Sequence, residues 1–351
     1  MSRFLNPRYR SLDAYTPGEQ PREMDYVKLN TNESPFPPAP AVAAAAAAEA
    51  RRLHLYPDPD CAALRAALAK RYGLGPENVF VGNGSDEVLN FAFMAFCERA
   101  VAFPDISYGF YPVYAALCGL AARQVPLRED FSLRVEDYFG LDMPVVLANP
   151  NAPTGMALPP ADIRRLLEQD PGHVMVVDEA YVDFGAESCA PLVKGYDNLL
   201  VVMTFSKSRS LAGGRLGFAL GSPALIADLE RLKFSTNPYS INRMTLAAGL
   251  ASLENEAYYA ENCRRIAENR AYTADQLARR GFETLPSRAN FLFTRRPGTA
   301  GEALYRALKQ RGVLVRHWQT PRLADYIRVT IGSREQMDVF LATLDAIEEE
   351  R

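Results

Sequence analysis

Thr204-Phe205-Ser206-Lys207 closes a run of apolar residues, and Arg215 follows the lysine by eight positions, beyond Gly213 and Gly214. A lysine at the lip of a buried strand can lose its proton through desolvation and become a nucleophilic amine, the requirement for a Schiff base with an aldehyde. Ser206 and Arg215 add a hydroxyl and a guanidinium suited to a phosphate monoester. Asp178 ends a second apolar run, Val174-Met175-Val176-Val177, and Tyr181 lies three positions further on. A carboxylate at the inner end of a buried strand is costly unless it meets a cation or a strong donor. Gly82-Asn83-Gly84-Ser85-Asp86-Glu87 reads as a small-residue turn from a strand into a helix. Backbone N–H groups and a helix N-terminus favour an anion at such a turn, although the last glycine of a dinucleotide fingerprint is absent. Asn149-Pro150-Asn151-Ala152-Pro153-Thr154-Gly155 is a rigid turn with asparagine amides available as donors.

These residues need elements to hold them, and the pattern around them alternates. Short apolar runs suited to buried strands occur at 79–81, 145–148, 174–177, 199–205 and 216–220, with helical stretches at 61–72, 86–99, 161–169 and 224–233. Strand and helix in alternation predict an α/β fold with a mostly parallel sheet sandwiched by helices, and ligands gather beyond the carboxyl ends of such strands. The stretch 242–280 has no proline and one glycine, so it reads as one long bridging helix. Beyond it, strands are expected at 291–294, 313–316 and 326–331 and helices at 301–311 and 335–350, a smaller α+β domain. The expected organisation is an N-terminal arm (1–40) joining the small domain, a large domain (41–255) and the small C-terminal domain (256–351). The alanine-rich stretch at 39–50 is expected to be a helix, too short and too weakly apolar to span a bilayer.

The chain has 351 residues, 39 Lys plus Arg against 42 Asp plus Glu, and a net charge of -3, which argues against a general nucleic-acid or anionic-membrane surface. Five scattered cysteines without a C-x-x-C pair point to a reduced, cytoplasmic protein, and three scattered histidines to no metal site. No apolar segment of a targeting signal follows the first ten residues.

Phosphate donors, an acid, a tyrosine and a lysine, each at a strand end and in this order, are what pyridoxal 5′-phosphate (PLP) needs. The chain resembles the fold-type I, aspartate aminotransferase-like PLP enzymes over nearly its whole length. Asn149 to Gly155 matches the N-P-x-x-P-T-G element, Asp178 to Tyr181 the D-E-x-Y element, and Ser206 to Arg215 the S-K-x(7)-R element. The resemblance implies Lys207 as the amine that binds the cofactor covalently, Asp178 as partner of the ring nitrogen and Tyr181 as the hydroxyl at the ring oxygen. It further implies Ser85, Asp86, Thr204, Ser206 and Arg215 as the phosphate cup and Tyr108 as the aromatic stacked on the ring. Tyr56, in Leu55-Tyr56-Pro57, resembles the residue given to the neighbouring subunit's phosphate, which implies a homodimer. The family carries asparagine just before Pro-Thr-Gly, at the ring oxygen, where this chain has Ala152. Either Tyr181 makes that contact alone or Asn151 reaches round.

Val315-Arg316-His317-Trp318, then Arg328 in Tyr326-Ile327-Arg328-Val329-Thr330-Ile331-Gly332, resemble the branch of the family that transaminates histidinol phosphate, as do segments 15–20 and 28–33. That resemblance implies Arg328 as the guanidinium that grips both the carboxylate of glutamate or 2-oxoglutarate and the substrate's phosphate, with Arg316 and Tyr15 as helpers. Threonine-phosphate decarboxylation and aromatic amino-acid transamination on the same scaffold, and a non-catalytic PLP-binding sensor, are the alternatives.

Overall fold

The computed structural model describes residues 2–10 and 12–350; Met1, Ser11 and Arg351 lie outside the described residues. In chain order the first elements are β1 (Val27–Lys28), α1 (Pro40–Ala50), α2 (Ala62–Tyr72), β2 (Val79–Gly82), α3 (Ser85–Phe96), β3 (Ala100–Pro104), α4 (Tyr111–Cys118) and β4 (Ala121–Val125). There follow β5 (Val145–Ala148), α5 (Pro160–Gln169), β6 (Met175–Asp178), β7 (Leu199–Thr204), β8 (Gly217–Leu220), α6 (Pro223–Thr236), α7 (Arg243–Glu254) and α8 (Glu256–Arg279). The last elements are β9 (Glu283–Thr284), β10 (Phe291–Arg295), α9 (Gly301–Gln310), β11 (Val313–Leu314), β12 (Arg316–His317), β13 (Tyr326–Thr330) and α10 (Arg334–Glu349).

A strand that is apolar on both sides must lie between two layers, and the central strands meet that requirement residue by residue. The sheet order is β2-β8-β7-β6-β5-β3-β4. Pairing is parallel from β7 through β6, β5 and β3 to β4, whereas β8 runs antiparallel to both β7 and β2. Leu147, Val177, Leu199, Val201 and Leu220 face one buried cluster, and their chain neighbours Val146, Val176, Leu200, Val202 and Ala219 face the other. The helices that cover the two faces supply the rest of each cluster, for example Leu64, Leu68, Ile163 and Leu167 on one side and Val88, Leu89, Phe93 and Leu229 on the other. Asp178 and Thr204 close β6 and β7 at the same edge of the sheet, where α3 also begins.

A second sheet, β12-β13-β10-β9, is antiparallel throughout and packs with α8, α9 and α10 around Leu292, Leu308, Ile327, Val329, Phe340 and Leu344. The N-terminal arm joins this unit: β1 pairs in parallel with β11, and Leu29 is buried in its core.

Four expectations are corrected. The helix across 242–280 is two helices, because Asn255 donates its amide to Ala251 O (2.8 Å) and closes α7, after which Glu256 opens α8. An asparagine side chain that competes with the backbone ends a helix without help from proline or glycine. The strand across 313–316 divides at Val315, so that β11 pairs with the arm and β12 with β13. The helix across 86–99 stops at Phe96, with Cys97 already extended. The strands β3 and β4 and the helix α4 are not among the expected elements: β3, Ala100-Val101-Ala102-Phe103-Pro104, is a short apolar run buried from Val101 on, whereas β4, Ala121-Ala122-Arg123-Gln124-Val125, is an exposed edge strand with only Val125 buried.

The approach of β8 to the start of α3 depends on Gly217. A Cβ there would lie 2.3 Å from Ser85 N and 2.5 Å from Gly84 C, both backbone atoms that cannot rotate away. Gly217→Ala is expected to destabilise the cofactor-free protein by about 1–3 kcal/mol. Gly213→Ala, where nothing lies within 4 Å of the added carbon, serves as the control. Thermal unfolding compares the two, and equal melting temperatures would show that the approach is not tight.

Candidate active site

The carboxyl ends of β6 and β7 and the N-terminus of α3 converge on one cleft, and each brings a group that is uncomfortable alone. Asp178 is 5% exposed and accepts hydrogen bonds from Tyr111 Oη (3.0 Å) and the Ala180 amide (3.2 Å). Burial pushes its carboxyl up to about 6 against the pull of those two donors, and among the described residues no cation pairs with it. Lys207, just beyond β7, donates from Nζ to the Thr31 carbonyl at 3.1 Å. Burial, helped by the positive charge of Arg328, lowers its amine to about 8, while Glu33 and Asp86 pull the other way.

The start of α3 is open to an anion. Gly84 precedes it at φ +80° with no side chain capping the first turn. Ser85 is the first residue of the helix, Arg215 (φ +52°) brings its guanidinium to 2.6 Å from where a Gly84 Cβ would lie, and Ser206 follows Thr204, whose register partner Gly217 abuts Ser85. Thr204 works inward: it donates to Ser206 Oγ (3.0 Å) and accepts from the Ser206 amide (3.1 Å), so it braces Ser206 rather than offering its own hydroxyl. Asp86 takes a similar supporting place, because its carboxylate accepts from Tyr108 Oη (2.7 Å) and from Arg215 Nη2 (2.8 Å). A carboxylate repels a phosphate, so Asp86 contributes by holding Arg215 and Tyr108 and not as a direct side-chain ligand.

Tyr108 lies edge-on to Tyr111 with ring centroids 5.7 Å apart, and Tyr15 is tilted against it at 6.4 Å and stacked on Phe110 at 4.1 Å. Burial raises the Tyr108 hydroxyl well above its ordinary range. Burial also raises Tyr15, with Arg316 and Arg328 as the opposing charges. Tyr181 accepts a hydrogen bond from Asn32 Nδ2 at 3.0 Å, and its ring meets Phe291 edge-on at 5.1 Å.

Arg316 and Arg328 are register partners across β12 and β13. Arg328 Nη2 donates to Asn30 O (3.0 Å), while its Nε is buried with no partner. Arg316 reaches the Thr16 and Pro17 carbonyls only at 3.3 and 3.4 Å. Both guanidinium groups lie over Trp318, at 5.5 and 5.2 Å from the ring centroid. Two adjacent cations, one with an orphaned donor, form a site for an anion with several oxygens.

Two further expected site residues touch none of these groups within the chain. Asn151 accepts from Ser107 Oγ (2.8 Å) and donates to Ile106 O (3.0 Å) and Thr154 Oγ1 (3.1 Å). Both ends of its amide are used, so it holds the segment before Tyr108 in place and does not reach round for Ala152. Tyr56 is 77% exposed, stacks on Tyr239 at 4.6 Å and touches none of the groups above. Conversely, Tyr111 and Asn32 touch the central groups without having been singled out from sequence. Tyr111 follows Tyr108 by one helical turn, which was its only signal.

The residues fit PLP. A buried carboxyl without a cation suits a protonated ring nitrogen, a depressed amine suits an aldehyde, and an uncapped helix start flanked by hydroxyls and a guanidinium suits a phosphate.

The model of the family described as aminotransferase class I and II matches residues 24–344. Histidinol-phosphate aminotransferase of Acetobacter pasteurianus is 50% identical over 98% of this chain and 98% of its own. The enzyme of that name from Marinomonas sp. is 50% identical over 99% of this chain and all of its own. Among solved structures, histidinol-phosphate aminotransferase from Sinorhizobium meliloti in complex with pyridoxal-5'-phosphate superposes with a TM-score of 0.89 at 26% identity, covering 100% of this chain and 98% of that one.

The isolated state of Asp178 has a measurable consequence. Its folded value lies above the ordinary 3.8, so between about 4 and 6 the folded chain holds a proton that the unfolded chain has released, and stability falls as pH rises through that window. In the cofactor-free protein Asp178→Asn is therefore expected to gain stability on the parent from about pH 4 to 6 and to stay ahead above it. Chemical denaturation across this range checks the sign; parallel profiles would mean that the carboxyl is not strained by burial.

Proposed function

The chain belongs to the class I and II aminotransferases, with histidinol-phosphate aminotransferases among its relatives at half identity, and from that premise we propose its reaction. It transfers the amino group of L-histidinol phosphate to 2-oxoglutarate, giving imidazole acetol phosphate and L-glutamate, with PLP as cofactor. The observation that carries this reading is the Arg316–Arg328 pair beside the Lys207 cleft, with the Arg328 Nε unmet. The two substrates share no shape except an anion at one end, and a forked guanidinium accepts either a carboxylate or a phosphate.

PLP supplies an aldehyde that captures amines and a ring that accepts electron density. Ser85, Ser206, Arg215 and the first amides of α3 would hold its phosphate, Asp178 would pair with the ring nitrogen, Tyr108 would supply an aromatic face to the ring, and Tyr181 would offer its hydroxyl to the ring oxygen. Lys207 would hold the cofactor through its amine and would serve as the base that moves the proton at the substrate's Cα. An amine near 8 suits that task, because at neutral pH it can both accept and return a proton. Arg328, with Arg316 and Tyr15, grips the far end of the substrate and fixes where its Cα lies relative to Nζ.

The working unit in this reading is a cytoplasmic homodimer in which Tyr56 reaches the partner's phosphate cup. Support comes from the exposed apolar face around it: Leu53 (57% exposed), Leu55 (48%), Tyr56 (77%) and Tyr239 (43%). Among the described residues no helix is long and apolar enough to cross a membrane. The arm (1–40), large domain (41–255) and small domain (256–351) divide the labour, the large domain for the cofactor and the other two for the substrate's anion.

A coupled assay with histidinol phosphate and 2-oxoglutarate, against phosphothreonine alone, separates transamination from decarboxylation. Arg328→Ala is expected to lower kcat/KM for both histidinol phosphate and 2-oxoglutarate by about 10- to 100-fold, the worth of a charge-assisted pair. Arg316→Ala is expected to weaken mainly the phosphorylated amine. Small, equal effects on both substrates would contradict a shared anion site.

A further inference from the structure

Asn32 is 1% exposed, sits at φ +56°, and has every polar group engaged. Its amide N–H donates to Thr330 Oγ1 (3.0 Å), its carbonyl accepts from Asn290 Nδ2 (3.0 Å), and its Oδ1 accepts from Thr330 Oγ1 (3.0 Å). The Thr330 hydroxyl has one proton, and it is used on Oδ1; flipping the amide would leave that proton without an acceptor. Nδ2 must therefore face Tyr181 Oη, 3.0 Å away.

That direction matters for Tyr181. Its hydroxyl oxygen accepts a hydrogen bond from Asn32 Nδ2, so its own proton is not used on Asn32 and is left for the cleft. Ala152, Ala289 and Phe291 pack against the ring, and Lys207 Nζ lies 5.9 Å from its centroid. Asn32 is the one side chain among the described residues that hydrogen-bonds this hydroxyl. A donor feeding into an oxygen polarises its O–H bond and strengthens the bond that the O–H makes in turn.

We propose that Asn32 is a positioning residue for the reaction: locked by Thr330, it orients the Tyr181 hydroxyl and strengthens its donation to the ring oxygen of PLP. The inference rests on the reading above, in which Tyr181 meets that oxygen. It also gives the arm a function, because Thr330 lies two residues beyond Arg328 on the same side of β13. Asn32 thus joins the strand that grips the substrate to the hydroxyl that tunes the cofactor.

The test is a visible-absorbance pH titration of the PLP-loaded enzyme. Stronger donation to the ring oxygen favours its deprotonated form, so Asn32→Ala is expected to raise the titration midpoint by about half to one pH unit. The shift must travel through Tyr181: in a Tyr181→Phe background, Asn32→Ala is expected to add nothing. A midpoint that stays put, or the same shift with and without the Tyr181 hydroxyl, overturns the proposal and leaves Asn32 a merely structural residue. If Asn32→Ala does not hold PLP, Thr330→Val takes its place, since it unlocks the amide without removing it. A smaller upward shift that vanishes with Tyr181→Phe is expected, and no shift overturns the proposal. Failure of the unaltered protein to acquire a visible band with PLP would instead count against the reading of the site.

Discussion

A buried amine and a buried carboxyl stand beyond the ends of adjacent parallel strands without forming an ion pair, and much of the molecule serves to keep them so. Burial pushes Lys207 down and Asp178 up, each toward its neutral form. Direct pairing would reverse both shifts and remove the chemistry. The parallel register of β6 and β7, fixed by Val177 opposite Val201 and Asp178 opposite Val202, determines where each group emerges. Two apolar clusters, one on each face, make that register costly to slip, because a one-residue shift would exchange the faces of a whole strand.

The second constraint is the arm. Over three consecutive residues it receives Arg328 on the Asn30 carbonyl and Lys207 on the Thr31 carbonyl, and gives the Asn32 amide to Tyr181. The same stretch is fastened to the smaller sheet through β1 and Thr330. A displacement of the arm therefore changes the hydrogen bonding of Arg328 and of Lys207 together.

What could be read from the sequence follows from the range of the interactions involved. Lys207 and Asp178 were legible because a charged residue ending an apolar run is a local anomaly. The β5–β8 region was legible because unbroken apolar runs demand cover on both faces. Edge strand β4 was not, since its solvent-facing residues carry no apolar period. The break at Asn255 was missed because a side-chain hydrogen bond, not a residue of poor helix propensity, makes it. Asn32 and Tyr181 are 149 residues apart, and Tyr111 and Asp178 are 67 apart, so only the folded chain reveals that they meet. The same holds for Asn151, whose amide looked available until the 106–107 segment was seen to occupy it.

On the proposed reading, the depressed amine of Lys207 is the group that binds PLP and moves the substrate's proton. Borohydride reduction of the PLP-loaded protein, followed by peptide mass mapping, tests it most directly, because reduction fixes the cofactor to whichever amine holds it. One phosphopyridoxyl group per chain is expected on the peptide containing Lys207, to be lost when histidinol phosphate is added before reduction. A label on another lysine, or a label indifferent to the substrate, would contradict that reading.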